Sequence, residues 1–123
     1  MSNQRWDIVI VGGGASGLLC AIYAGRKGRR VLVLEQGPKC GLKILVSGGG
    51  RCNFTNIWTD PRAHFLSANE QFCISALSRY TPWDFIALVE DNNIAYHEKK
   101  LGQQFCSHSA KDLLNMLLQQ ATA

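Results

Sequence analysis

Apolar and polar positions change period several times along the chain. Residues 7–11, DIVIV, form a short β-branched run that stops at glycine, which predicts a strand buried on both faces. From Ala15 to Lys27 the spacing becomes helical, with Leu18, Ala21, Ile22 and Gly25 on one stripe. Gly28 stands where a left-handed cap would close that helix. VLVLE at 31–35 is again a continuous apolar run and predicts a second strand. Strand, helix and strand in succession make a β-α-β unit, so the predicted class is α/β with a parallel sheet.

Periodicity then fades. Residues 36–61 are rich in Gly and Asn and broken only by the apolar piece Ile44–Val46; a connection of that length is usually functional or disordered. A loose pattern over 69–79 predicts a helix. Thr81-Pro82-Trp83-Asp84 predicts a sharper one over 82–91, because Thr can cap, Pro suits the first helical position and Asp returns to the cap. Two short strands are expected around a turn near Gly102. Ser109 and Asp112 repeat the capping spacing ahead of Leu113, Leu114, Leu117 and Leu118, which predict a final amphipathic helix. The expected organisation is therefore a β-α-β unit over 1–35, a glycine-rich region over 36–61 and a mainly helical extension over 62–123.

Composition narrows the function classes. A chain of 123 residues with 46% hydrophobic content suits one packed domain rather than a disordered segment. Its formal charge of +4 is mildly basic, and Lys and Arg read as scattered among Asp and Glu, which argues against a nucleic-acid partner. No apolar run approaches the ~20 residues that span a bilayer, and no leader pattern opens the chain, so no membrane role and a cytoplasmic location are expected. Five cysteines at 20, 40, 52, 73 and 106 show no C-x-x-C spacing, which argues against a zinc site or a disulfide framework.

The chemistry lies in the glycines. Gly12-Gly13-Gly14-Ala15-Ser16-Gly17 fits G-x-G-x-x-G, and it follows a predicted strand and opens a predicted helix. Gly12 permits the tight turn, Gly14 lets a pyrophosphate reach the backbone, and Gly17 lets helix and strand pack closely. The first-turn amides, including those of Ala15 and Ser16, lack intrahelical acceptors and sit at the positive end of the helix dipole. Glu35 ends the second strand, where its carboxylate can accept both ribose hydroxyls of an adenosine and repel a 2′-phosphate; Gln36 follows it. NADP is disfavoured at this position, leaving NAD or FAD. A second triplet, Gly48-Gly49-Gly50, is flanked by Lys43 and Ser47 before it and by Arg51, Cys52 and Asn53 after it. Glycine amides there could lie against a flat ring system, and the two cations could offset negative charge on a pyrophosphate or a reduced flavin.

The run GGGASGLLCAIYAGRKGRRVLVLEQGPKCGLKILVSGGGRCNFTN closely resembles the start of the BaiN/YhiN-like flavoproteins, a family of NAD(P)/FAD-dependent or aminoacetone-oxidase-type FAD-binding enzymes. LGQQFCSHSAKDLLNML resembles a later piece of the same family, although Gln103 and Cys106 depart from its pattern, so no role is carried over there. The resemblance implies a Rossmann-like FAD-binding start, with the first glycine loop on the FAD pyrophosphate, Glu35 on its ribose and the stretch Lys43 to Asn53 along the cofactor. It implies flavin-dependent oxidoreduction in the parent, with NAD(P)H as a possible electron donor and an unidentified small-molecule substrate. It also implies that this chain corresponds to the N-terminal third of a longer protein, an incomplete domain. No catalytic side chain is assigned. Cys52 reads as an inert small residue rather than a redox partner. His64, His97 and His108 lack partners at motif spacing, and Trp58, Trp83 and Phe85 read as core or interface aromatics. Two alternatives stay open: an NAD-dependent dehydrogenase fragment, and a catalytically inert fragment acting as a binding module.

Overall fold

The computed structural model describes residues 4–122. In chain order the elements are β1 (Ile8–Val11), α1 (Ala15–Arg26), β2 (Val31–Leu34), α2 (Leu42–Val46), a 3₁₀ turn (Ser47–Gly50), β3 (Asn53–Asn56), α3 (Ile74–Arg79), α4 (Pro82–Asp91), β4 (Tyr96–Glu98), β5 (Gln103–Cys106) and α5 (Ala110–Thr122). They divide into two compact units, one running to Cys52 and resuming at Ser109, the other comprising Asn53–His108.

In the first unit β1 and β2 pair in parallel, from Ile8 opposite Val31 to Val11 opposite Leu34, with α1 as the crossover. The α1 stripe buries Gly17, Leu18, Ala21 and Ile22, but Gly25 is exposed rather than part of it. Helix α5 packs on both α1 and α2. Its Leu113, Leu114, Met116 and Leu117 are buried, each such side chain contributing about 1.5–3 kcal/mol when fully removed from water. Ser109 starts this helix by accepting the Lys111 N–H on Oγ, one residue earlier than the capping-box spacing implies.

The strands are not buried on both faces as expected. Ile8 and Ile10 are half-buried, whereas Val9, Val11 and Leu34 are 52%, 87% and 48% exposed. The helices of this unit pack on the face of Ile8 and Ile10, while on the other face Val9, Val11 and Leu34 stand exposed and Leu32 is half-buried.

At its far end α1 closes on a Schellman arrangement. The Gly28 N–H bonds Gly25 O at 2.9 Å, the Arg29 N–H bonds Ala24 O at 3.2 Å, and Gly28 takes φ 77°. Arg26, Lys27, Arg29 and Arg30 stand exposed around this cap. They form a block of like charge, which corrects the reading of the cations as scattered.

The second unit is built on an antiparallel sheet in the order β3-β5-β4. Its β4–β5 hairpin turns through Leu101 and Gly102 at φ 57° and 78°, as the alternation around Gly102 predicts. Strand β3 has no sequence signal. Asn53, Thr55 and Asn56 are drawn into pairing by β5, with an irregularity between Asn53 and Thr55, so tertiary context overrides weak propensity. Phe54 meets Phe85 and Tyr96 at ring-centroid distances of 5.8 and 5.9 Å.

Helix α4 carries the full capping box: the Thr81 N–H bonds Asp84 Oδ2 at 2.7 Å and the Asp84 N–H returns to Thr81 Oγ1 at 3.4 Å. Helix α3 begins at Ile74 rather than Asn69. Ser67 Oγ takes the Asn69 N–H and Asn69 Oδ1 takes the Gln71 N–H, and such local side-chain turns compete with helix initiation.

Candidate functional site

The loop between β1 and α1 follows from its glycines. Gly12 adopts φ 107°, a value that other residues rarely reach, and its N–H bonds Leu34 O at 2.7 Å, holding the turn against the end of β2. A Cβ at Gly17 would fall on the Gly12 carbonyl oxygen, so helix and loop meet at backbone distance only because Gly17 has no side chain. Gly14, the N-cap, has φ −88° and ψ −163°, and a Cβ there would meet nothing within 4 Å. Leu18 N–H is the first donor into α1, bonding Gly14 O at 3.0 Å. The amides of Ala15, Ser16 and Gly17 therefore precede the intrahelical ladder, at the positive end of a 12-residue helix.

Glu35 is held by backbone from two directions. Its Oε1 accepts the Gly13 N–H at 3.0 Å and its Oε2 accepts the Gly37 N–H at 2.7 Å. The Gly37 amide and then the Gly13 amide hold the carboxyl below its ordinary value; desolvation opposes them, and the Gln36 amide adds a weaker lowering effect than either. An ionised carboxylate has about four acceptor positions. With one taken on each oxygen, each keeps capacity for a further donor.

The second glycine region is tied to the same place. The Gly41 N–H bonds Gly13 O at 2.8 Å, and a Cβ at Gly13 would collide with Cys40 Sγ and touch Glu35. Gly41, at φ 75°, starts α2 beneath Leu114 of α5. Lys43 is exposed on α2, and Ser47 Oγ bonds Ile44 O at 2.7 Å. Gly48, Gly49 and Gly50 all lie at positive φ (55°, 65° and 87°), and Cβ atoms at Gly49 and Gly50 would meet nothing within 4 Å. The triplet's glycines thus answer first to left-handed backbone, and they leave open space beside it. Cys52 is buried at φ 55°, and burial pushes its thiol up despite a hydrogen bond with Ser47, so the reactive thiolate is disfavoured at neutral pH. Arg51 is exposed. Asn53, also exposed, opens β3 in the second unit.

The structure thus brings Gly12, Gly14, Ala15, Ser16, Gly17 and Glu35 to one end of the parallel strands, with α2 attached through Gly13 and Gly41. Gly13, Gly37, Cys40 and Gly41 are the residues that sequence reasoning missed. Gly13 occupies a free position of the fingerprint, and only its neighbours in space show that a side chain there would have to displace Cys40 Sγ. Among the described residues no group of His, Cys, Asp and Glu could hold a metal ion, and no helix is long and apolar enough to cross a membrane.

These features are compatible with a dinucleotide such as FAD: the open backbone at Gly14 and the first-turn amides could take its two phosphates, and the oriented carboxylate could take a ribose. Comparisons with known proteins lead to the same family. The chain is 55% identical over 115 residues to a ribosomal RNA dihydrouridine synthase of Escherichia coli, covering 94% of this chain and 28% of the relative. It is 53% identical over the same length, with the same coverage, to a protein of that description from Haemophilus influenzae. The chain spans a little over a quarter of the length of these curated relatives. A crystal structure of Thermovibrio ammonificans THI4 matches with a TM-score of 0.57 at 20% identity, over 95% of this chain and 35% of that one, which shows the fold. The profile of the HI0933-like protein Rossmann domain matches residues 6–123, and the chain belongs to that BaiN/YhiN-type FAD-binding family.

Proposed function

We propose that the chain is the FAD-binding portion of a flavin-dependent reductase whose substrate is uridine in ribosomal RNA, the substrate that the names of its relatives supply. The observation that carries the FAD assignment is the match of residues 6–123 to an FAD-binding Rossmann family, which the open Gly14 backbone and a Glu35 carboxylate already oriented by two amides accommodate. Gly12, Gly14 and the amides of Ala15, Ser16 and Gly17 receive the pyrophosphate. Glu35 accepts the ribose hydroxyls beside Gln36. The segment Lys43, Ser47, Gly48, Gly49, Gly50, Arg51, Cys52 and Asn53 lies along the flavin, where Lys43 and Arg51 offset negative charge. FAD, when bound, supplies the two-electron chemistry; the protein supplies binding, orientation and electrostatics. NAD(P)H is the proposed electron donor of the parent, and its location is cytoplasmic.

The placement is tested at Gly14. Alanine there suits the backbone angles and meets no protein atom, so the fold should survive while the pyrophosphate is held off. Titration should show FAD affinity falling about tenfold or more, equivalent to ~1.4 kcal/mol or more, with an unchanged thermal transition. Equal affinity in the two proteins overturns the placement. The substrate is tested separately, by mass spectrometry of ribosomal RNA from cells with and without the full-length parent. Unchanged dihydrouridine content overturns that half of the proposal.

A further inference from the structure

The thirteen Lys and Arg are unevenly placed. Nine lie in the unit that runs to Cys52 and resumes at Ser109, against three of the nine carboxylates. Four of the nine, Arg26, Lys27, Arg29 and Arg30, occupy five consecutive positions, and all four are exposed. The Schellman cap fixes the backbone they share, and the Arg30 N–H is tied to Asp7 Oδ2 at 2.8 Å. That hydrogen bond places Asp7, and Arg5 just before it, at the same end of the sheet. Asp7 is the carboxylate tied to the block, and it is tied through a backbone N–H rather than through a guanidinium. Arg26 lies over the Tyr23 ring and reaches Gln120 Oε1 at 3.5 Å, while among the described residues no ion pair neutralises any of the four.

A single cation in the last turn of a helix is explained by the helix dipole. Four around one turn are not, because self-repulsion costs stability and the dipole's effect is confined to that turn. Nor do they belong to the cofactor cradle. They sit at the opposite end of α1 from Gly14, roughly 18 Å away for 12 residues at ~1.5 Å each.

We infer, on the basis of the ribosomal-RNA substrate proposed for the parent, that the Arg26–Arg30 block is a docking surface for the phosphate backbone of RNA. Guanidinium groups suit it because they match phosphate geometry in paired hydrogen bonds, and exposed cations gain from releasing the counterions held by a polyanion. Cations of this kind position a substrate without reading its sequence, so they would hold RNA on the enzyme while another region selects the uridine.

The test uses the 123-residue chain and a fluorescently labelled, uridine-rich single-stranded RNA. Two variants remove equal charge: one changes Arg26, Lys27, Arg29 and Arg30 to Gln, the other changes Arg62, Arg79, Lys99 and Lys100. RNA affinity should fall roughly tenfold to a hundredfold in the first, with the salt slope reduced by about 0.7 for each phosphate no longer neutralised. The second should stay within about twofold of the unaltered chain, since non-specific attraction alone would weaken both alike. Equal losses in the two variants, or no RNA binding by the unaltered chain, overturn the docking surface. Equally tight, block-dependent binding to phosphatidylglycerol vesicles overturns RNA as its partner. Dihydrouridine content with the full-length parent decides the underlying substrate proposal independently of every one of these results.

Discussion

Glu35 shows how a single side chain carries both structure and recognition. Its two oxygens accept amides from two directions, Gly13 in the first loop and Gly37 just beyond β2, so the carboxylate is already oriented for the ribose contact proposed for it. The Gly37 and Gly13 hydrogen bonds favour the charged form and lower the pKa from its ordinary value of 4.5. A lowered pKa in the folded state contributes stability above the ordinary value, and that contribution is lost as pH falls through the folded one. If the ionised carboxylate holds the ribose, FAD affinity should stay level from neutral pH to below 4.5 and decline only as pH falls through the lowered folded-state pKa of Glu35. Glu35→Gln should bind FAD less well at neutral pH and lose the acid dependence, because its amide nitrogen would face a backbone N–H where the carboxylate has an acceptor. Fluorescence titration across the acid range checks both. An acid dependence of FAD affinity that is the same in the wild type and in Glu35→Gln would remove Glu35 from the ribose contact.

Among the elements, α1 joins the two ends on which the cofactor and RNA proposals depend. Its N-terminus is open at Gly14, and its C-terminus is closed by Gly28 at φ 77°. Gly25 is helical and exposed, and a Cβ there meets nothing within 4 Å. The same substitution should act with opposite sign at these two glycines. Gly28→Ala should destabilise by about 1–2 kcal/mol, the cost of placing an L side chain in left-handed backbone. Gly25→Ala should stabilise by about 0.5–1 kcal/mol, since alanine has less chain entropy to lose in a helix. Urea denaturation of the two variants checks the pair, and a shared sign would show that the cap is not what stops the helix. The cap and both strands of the β-α-β unit are legible in sequence because each depends on local chemistry: a β-branched run, a helical stripe, a glycine at the right offset. The capping box of α4 is legible for the same reason. Strand β3 is not, because its Asn-rich residues become a strand only through pairing with the distant β5. Gly13 is likewise opaque, since Cys40 crowds it only after the chain has folded back.

At the scale of the whole molecule, the cofactor cradle is local whereas the conditions for turnover are not. The first loop, Glu35 and α2 are connected through Gly13 and Gly41 in the stretch that ends at Cys52, supported by α5, so the proposed phosphate and ribose contacts all lie within one unit. Val9, Val11 and Leu34 nevertheless leave one sheet face exposed, and the relatives carry most of their length beyond the matched region. Hydride transfer needs the donor and the flavin held in near-contact geometry, and such orientation is worth about 7–11 kcal/mol of barrier. In the proposed arrangement only the segment from Lys43 to Asn53 meets the flavin ring, and a ring held on that side alone loses much of that advantage. The chain should therefore bind FAD yet show no NADH or NADPH oxidation above a buffer containing the same flavin. The measurement is absorbance at the reduced nicotinamide band after excess FAD has been removed, with both nucleotides tried. Protein-dependent turnover on the order of 1 s⁻¹, an ordinary enzymatic rate, would instead place a complete active site within these residues. The donor site would then have to be sought on the segment from Lys43 to Asn53, where left-handed glycines leave open space beside the backbone.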